Sequence, residues 1–286
     1  LAKCNCDIYV LRQEGLSDWK DSISKRPKNI FIIGGDLNDC GISFFDFAIC
    51  HGRLQEFDAA HNVSSSLHIP LITVDHVGKK TMQKLPLFSK VAPSHPLEAR
   101  VGSVNVALSD RIKDSWQSSI HGISITIPNF IDKRFSGDAK KNKSFLLDNN
   151  IPQEIVAPLH PAIVKFNCQS RFEGEKINDP KDFEFYINTW NNIDSKTLEA
   201  MAAGCICLSP RTDESEAIID HGVNGLLFSS PENLEVLMTQ CINGEFSEIG
   251  DNAKRFVSDT CVDEDVFIKK WGSVLSFCSQ TFHMRN

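Results

Sequence analysis

Short apolar runs separated by polar or glycine breaks recur along the amino half of the chain. Asp7–Leu11 (DIYVL), Asn29–Ile33 (NIFII) and Asp46–Cys50 (DFAIC) are each too short for a helix and rich in β-formers, so each reads as a strand. Gln55–Leu67 has the composition of a helix, and Ile69-Pro70 then introduces a strand over Leu71–Val74. Val104–Leu108 (VNVAL) is a further strand, and SDRIKDSW after it starts a helix on a Ser or Asp cap. Ile123–Ile127 (ISITI) alternates strictly and leads into a PNFID turn. Strands alternating with helices predict a parallel sheet covered by helices, joined by right-handed crossovers.

The carboxyl half repeats this rhythm. Ser136–Lys143 (SGDAKKNK) is polar, lacks apolar periodicity and reads as the linker, with a second α/β unit beginning at Ser144–Leu147. The apolar Ala162–Phe166 reads as a strand whose exit carries SRFEGEK. Ser195–Phe228 reads as helix–strand–helix–strand, its strand at Cys205–Leu208, with charges at the strand exits, where open α/β sheets bind ligands. Val266–Phe277 has helical spacing and either packs on the body or crosses back to the first domain. The expected domains are 1–137, 138–265 and a closing helix at 266–286.

Composition narrows the function. The 286 residues suffice for two modest domains, and a net charge of -7 gives no general affinity for polyanions. No apolar run reaches the roughly eighteen residues of a membrane span. The ten cysteines are scattered without a C-x-x-C pair, which points to reduced structural thiols and a cytoplasmic protein. Cys205 and Cys207 should share one strand face. The first residue is Leu, with no signal-peptide pattern after it, so the chain is expected to be trimmed, or a fragment, at its amino end. Gly34-Gly35 lacks the spacing of a dinucleotide fingerprint, which leaves an NAD-dependent oxidoreductase as a weak rival. No P-loop, H-E-x-x-H or G-x-S-x-G motif occurs.

Glu199 is the strongest candidate residue. It sits just past the first turn of a helix capped by Asp194 or Ser195, among Leu198, Ala200, Met201, Ala202 and Ala203. A carboxylate there can accept hydrogen bonds from a pair of ribose hydroxyls; the plainer alternative is a solvated surface residue. Ser209–Glu216 brings hydroxyls and acids to an expected helix start, suited to a phosphate or to ordinary capping. His76 ends the strand of ITVDHVG and can meet a sugar or phosphate, or simply pair with Asp75. Arg171 and Lys176 could clamp a diphosphate or be ordinary surface charges. His51 and Arg53 border the same region of the first domain, with structural roles equally open.

These pieces together resemble a known family. Thr197–Gly204 (TLEAMAAG), the CICLS strand, Glu216 and DHGVNGLLF are similar to the nucleotide-sugar site of retaining GT-B glycosyltransferases of the large family 4 type. IPNFID followed by Phe135 resembles the family's interdomain turn, and IPLITVDHV the strand that ends in an active-site His. The resemblance covers roughly residues 69–135 and 185–235. It implies two Rossmann-like α/β/α domains facing across a cleft, and a UDP- or GDP-linked sugar donor with no metal and no bound cofactor. Glu199 would hold the ribose, Arg171 and Lys176 the diphosphate, and Ser195, Lys196, Thr197 and Glu216 would complete the nucleotide set. His76 would touch the transferred sugar. Asn191 stands where the family has a sugar-binding glutamate, eight positions before Glu199. The acceptor is a glycan, a lipid or a modified nucleic acid base, with peripheral membrane contact open. The rival readings are a viral-type DNA-base glycosyltransferase and a non-catalytic sugar-nucleotide-binding protein.

Overall fold

A computed structural model describes residues 4, 6–11, 26–33, 44–52, 55–84, 101–117, 122–148, 157–173, 176–189, 193–261 and 263–283. It divides into two units, Leu1–Pro128 with Asp265–Asn286, and Asn129–Glu264. In the first, β1 (Ile8–Leu11) and β2 (Ile30–Ile33) form a parallel pair. The main sheet has the order β3 (Ala48–His51), β4 (Leu71–Asp75), β5 (Val104–Ala107), β6 (Ile123–Thr126), all parallel. Parallel neighbours need a crossover between them. Helix α1 (Gln55–Leu67) lies between β3 and β4, and α2 (Lys79–Lys84) follows β4. Helix α3 (Asp110–Trp116), between β5 and β6, is capped by the Ser109 hydroxyl, which accepts from the Ile112 amide. The central strands β4 and β5 are buried along their whole length, as strands covered on both faces of a parallel sheet are, and the buried Asn105 of β5 is satisfied by the Thr73 hydroxyl and the Gly102 carbonyl.

The second unit holds a five-stranded sheet. Its strands are β7 (Phe145–Leu147), β8 (Gln169–Ser170), β11 (Phe185–Ile187), β12 (Ile206–Pro210) and β13 (Leu226–Phe228), in the order β13-β12-β11-β7-β8 and all parallel. A small antiparallel hairpin, β9 (Phe172–Glu173) and β10 (Lys176–Ile177), lies between β8 and β11 in the chain. The helices are α4 (His160–Lys165), α5 (Ser195–Ala202), α6 (Pro231–Asn243) and α7 (Ile249–Thr260). Side-chain alternation sorts the core into two layers. Phe145, Leu147, Phe185, Ile187, Ile206 and Leu208 face α6, whereas Leu146, Tyr186, Cys205 and Cys207 face α5 and α7. Cys205 and Cys207 thus share one face, and the cysteines among the described residues are free thiols. Helix α7 approaches the end of α5 so closely that a Cβ on Gly250 would strike the Gly204 carbonyl.

The chain then closes with α8 (Glu264–His283). Trp271, Val274, Leu275 and Cys278, at helical spacing, pack with Ile72, Val74, Val104, Val106 and Ile127 of the first unit.

Three sequence expectations are corrected. The boundary falls at Pro128, before Ser136–Lys143, which belongs to the second unit. Its charges find partners there: Lys140 with Asp182 at 2.5 Å and Asp138 with Lys254 at 2.7 Å. Ala162–Phe166 is the body and C-cap of α4, and the strand that Arg171 follows is β8. The segment after β12 forms turns and no helix, because Thr212 and Ser215 bond each other's backbone and hydroxyl groups. Gly34-Gly35 and Arg53 lie outside the described residues.

Trp271→Ala is expected to cost about 3–5 kcal/mol by emptying a large buried site. Urea unfolding would measure it, and a loss under about 1 kcal/mol would contradict the packing of α8 on the first unit.

Candidate functional site

Because β7, β8 and β11 run parallel, their exits share one edge of the sheet. Asp148 follows β7, Arg171 follows β8, and Asn188 and Thr189 follow β11. Helix α5 starts beside them. Asp194 is its cap: Oδ1 accepts from the Thr197 amide at 2.9 Å and from the Thr197 hydroxyl at 3.0 Å. Beyond the cap, Lys196 and Glu199 are three residues apart and share a helix face.

Arg171 joins this face to β8. Its Nη2 donates to Glu199 Oε2, and its Nη1 donates to the Lys196 carbonyl at 3.2 Å. The Arg171 side chain is 4% exposed and that of Glu199 20%. Burial raises the Glu199 pKa, and the adjacent guanidinium opposes that rise. Lys196 Nζ lies 3.5 Å from Asp148 Oδ1 and 3.9 Å from Asp194 Oδ2, with 24% of its side chain exposed while Asp148 is fully buried. Tyr186 is buried next to this cluster, its phenol pushed well above the usual range by burial and then by Asp148 and Asp194. The site therefore presents a held but reachable carboxylate and a reachable ammonium at a helix start. It can accept hydrogen bonds from a diol and pair with an anion.

The structure thus brings together Arg171, Lys196 and Glu199, with Ser195 exposed on the same first turn. Thr197 is buried, its hydroxyl spent on the Asp194 cap. Glu216 pairs with Arg211 at 2.7 Å on an exposed turn. Lys176 opens β10, opposite Glu173, and Asn191 lies outside the described residues. Asp148 and Tyr186 are members that the sequence reading passed over, and Asp194 is the cap that it offered. Asp148 had a usable signal, since it ends the FLL run as His76 follows LITVD. Among the described residues, no group of three His, Cys, Asp or Glu could hold a metal ion.

In the first unit His76 follows β4 and His51 ends β3. His51 Nδ1 and His76 Nε2 are 3.0 Å apart, one ring donating to the other. Each ring reaches solvent on one side, but the protein around it removes water from the rest. This desolvation, followed by the neighbouring His76, lowers His51 to about 4; desolvation lowers His76 as well.

No protein-family model and no curated protein matches the sequence. Solved structures do share its fold. Anabaena Alr3699/HepE in complex with UDP and glucose has 16% identity and a TM-score of 0.58, covering 80% of this chain and 78% of that one. The same protein with UDP has 14% identity and a TM-score of 0.58, covering 86% of each chain. Sucrose-phosphate synthase from Thermosynechococcus elongatus has 9% identity and a TM-score of 0.60, covering 83% of this chain and 74% of that one. The fold matches that of the GT-B glycosyltransferases.

Two outcomes follow from the site's electrostatics. Arg171→Leu strands a largely buried carboxylate and is expected to cost about 3 kcal/mol, most of which the double variant Arg171→Leu/Glu199→Leu regains. Equal losses in both, measured by denaturant titration, would contradict the stranded carboxylate as the source of the cost. His51 binds its proton less readily folded than unfolded, so it lowers stability as pH falls from about 6.5 towards 4. His51→Gln should flatten the melting temperature over that window relative to the parent chain, and an unchanged slope would contradict the shift.

Proposed function

We propose that this protein is a retaining glycosyltransferase that moves a sugar from a UDP- or GDP-linked donor to an acceptor hydroxyl. The observation that carries the reading is Glu199: a carboxylate held by Arg171, still reachable, on the α5 face at the carboxyl edge of a GT-B sheet. Its position in TLEAMAAG is the one that the family resemblance gives to the ribose contact. HepE, of the same fold, has been solved with UDP and glucose and with UDP-glucose, which supports a donor of this class.

In this reading Glu199 accepts hydrogen bonds from ribose hydroxyls. Lys196 and the amides of the α5 start take up charge that develops on the leaving diphosphate. His76 and Asn191 keep the sugar contacts that the resemblance implies. The bond from the sugar's reacting carbon to the phosphate oxygen breaks as the bond to the acceptor oxygen forms on the same face, and the acceptor's proton passes to the departing phosphate. No metal enters these steps. Among the described residues no helix is long and apolar enough to cross a membrane, and the free thiols suit a cytoplasmic site. The acceptor class stays as wide as a glycan, a lipid or a modified base.

A hydrogen bond to a charged group is worth about 1.5–3 kcal/mol, so Glu199→Ala should weaken UDP or GDP binding by roughly 10- to 100-fold. His76→Ala should slow sugar transfer while nucleotide affinity stays within about twofold. Calorimetric titration and nucleotide release from UDP- and GDP-sugars would measure both. Binding without turnover on any acceptor would favour the non-catalytic reading, and no nucleotide binding at all would sink the proposal.

A further inference from the structure

Sequence spacing offers Arg171 as one of two diphosphate cations, but its geometry gives it other work. Its side chain is 4% exposed, against 20% for Glu199 and 24% for Lys196, so the guanidinium stands behind the carboxylate that a ligand would meet. Both terminal nitrogens donate to protein oxygens, Glu199 Oε2 and the Lys196 carbonyl. The backbone is fixed as well. The Arg171 amide donates to the Leu147 carbonyl at 2.9 Å, and its carbonyl accepts from the Asn178 amide at 2.9 Å. The buried Asn178 side chain in turn donates to the Ser170 carbonyl at 2.6 Å. The residue is therefore pinned to β7 at one end and to the first turn of α5 at the other. Its remaining N–H groups are buried with the rest of the side chain, so to reach a diphosphate the guanidinium would have to move out from behind Glu199.

We infer that Arg171 is a positioning residue. It fixes the Glu199 carboxylate in the orientation that selects nucleotides by their ribose hydroxyls, and it makes no contact with the diphosphate. This rests on the donor reading above and departs from the pairing with Lys176. A planar fork can hold the carboxylate and a backbone carbonyl at once, which a lysine ammonium, a point charge on a flexible stem, does poorly. Arg171→Lys therefore keeps the charge and loosens the orientation.

The test is a set of dissociation constants for the full chain with UDP, 2′-deoxy-UDP, 3′-deoxy-UDP and UMP, and with the matching guanine nucleotides, in the parent protein and in Arg171→Lys. The parent should prefer the ribonucleotide over at least one deoxy analogue. Arg171→Lys should reduce that preference about fivefold or more while the preference for UDP over UMP, or GDP over GMP, changes by less than about twofold. Glu199→Asp, which withdraws the carboxylate but leaves Arg171 in place, should reproduce the pattern and serves if Arg171→Lys does not fold. A parent that binds UDP or GDP without preferring ribose overturns the inference. So does a loss confined to the diphosphate preference in Arg171→Lys, or no change in either preference. Failure of the parent to bind either nucleotide removes the donor reading itself.

Discussion

Parallel strand pairing is the constraint on which the second unit depends. Strands that all run one way deliver every exit to the same edge, so Asp148, Arg171 and the start of α5 meet although they are far apart in sequence. The same pairing leaves both faces of the sheet to be covered. Phe185 and Ile187 therefore pack toward α6 while Tyr186 packs toward α5 and α7. Helix α5 is thus held at its back by the apolar core, and only its first turns are left for polar chemistry. The close approach of Gly250 to Gly204 sets how deeply the far end of α5 sits.

Polar burial at that edge is costly and has to be repaid locally. Glu199 and Arg171 offset each other's desolvation, and Lys196 stands between two carboxylates, Asp148 and Asp194. This alternation of charges holds the first turn of α5 in one place without filling it with apolar side chains. A site of this kind is preorganised: its carboxylate is already oriented before any ligand arrives, so less ordering remains to be done on binding. The first unit repeats the device more simply, with His51 and His76 sharing one hydrogen bond at the exits of adjacent strands.

Much of this was legible in the sequence because the strands are short, apolar and cleanly interrupted. LITVD, VNVA and ISIT fall close to their expected places, and TLEAMAAG marks α5 with its lone carboxylate. The run Ala162–Phe166 was misread because five apolar residues have no period that separates a strand from a helix turn. Ser136–Lys143 looked like a linker by its polarity, but ion pairs to residues far along the chain hold it in the second unit. The Arg171–Glu199 pair spans 28 residues, and no local pattern announces a contact of that kind. Glu216 entered through the family resemblance and an expected helix start, but the segment forms only turns, where Glu216 pairs with Arg211.

The central claim is that Glu199 meets the ribose of a nucleotide at the carboxyl edge of the second unit's sheet. A crystal structure with UDP or GDP bound tests it most directly. The account expects a Glu199 carboxylate oxygen within about 2.5–3.0 Å of a ribose hydroxyl, with Arg171 still donating to Glu199 and the diphosphate near Lys196 and the start of α5. A nucleotide bound elsewhere, or one whose phosphates take Arg171 away from Glu199, would contradict it.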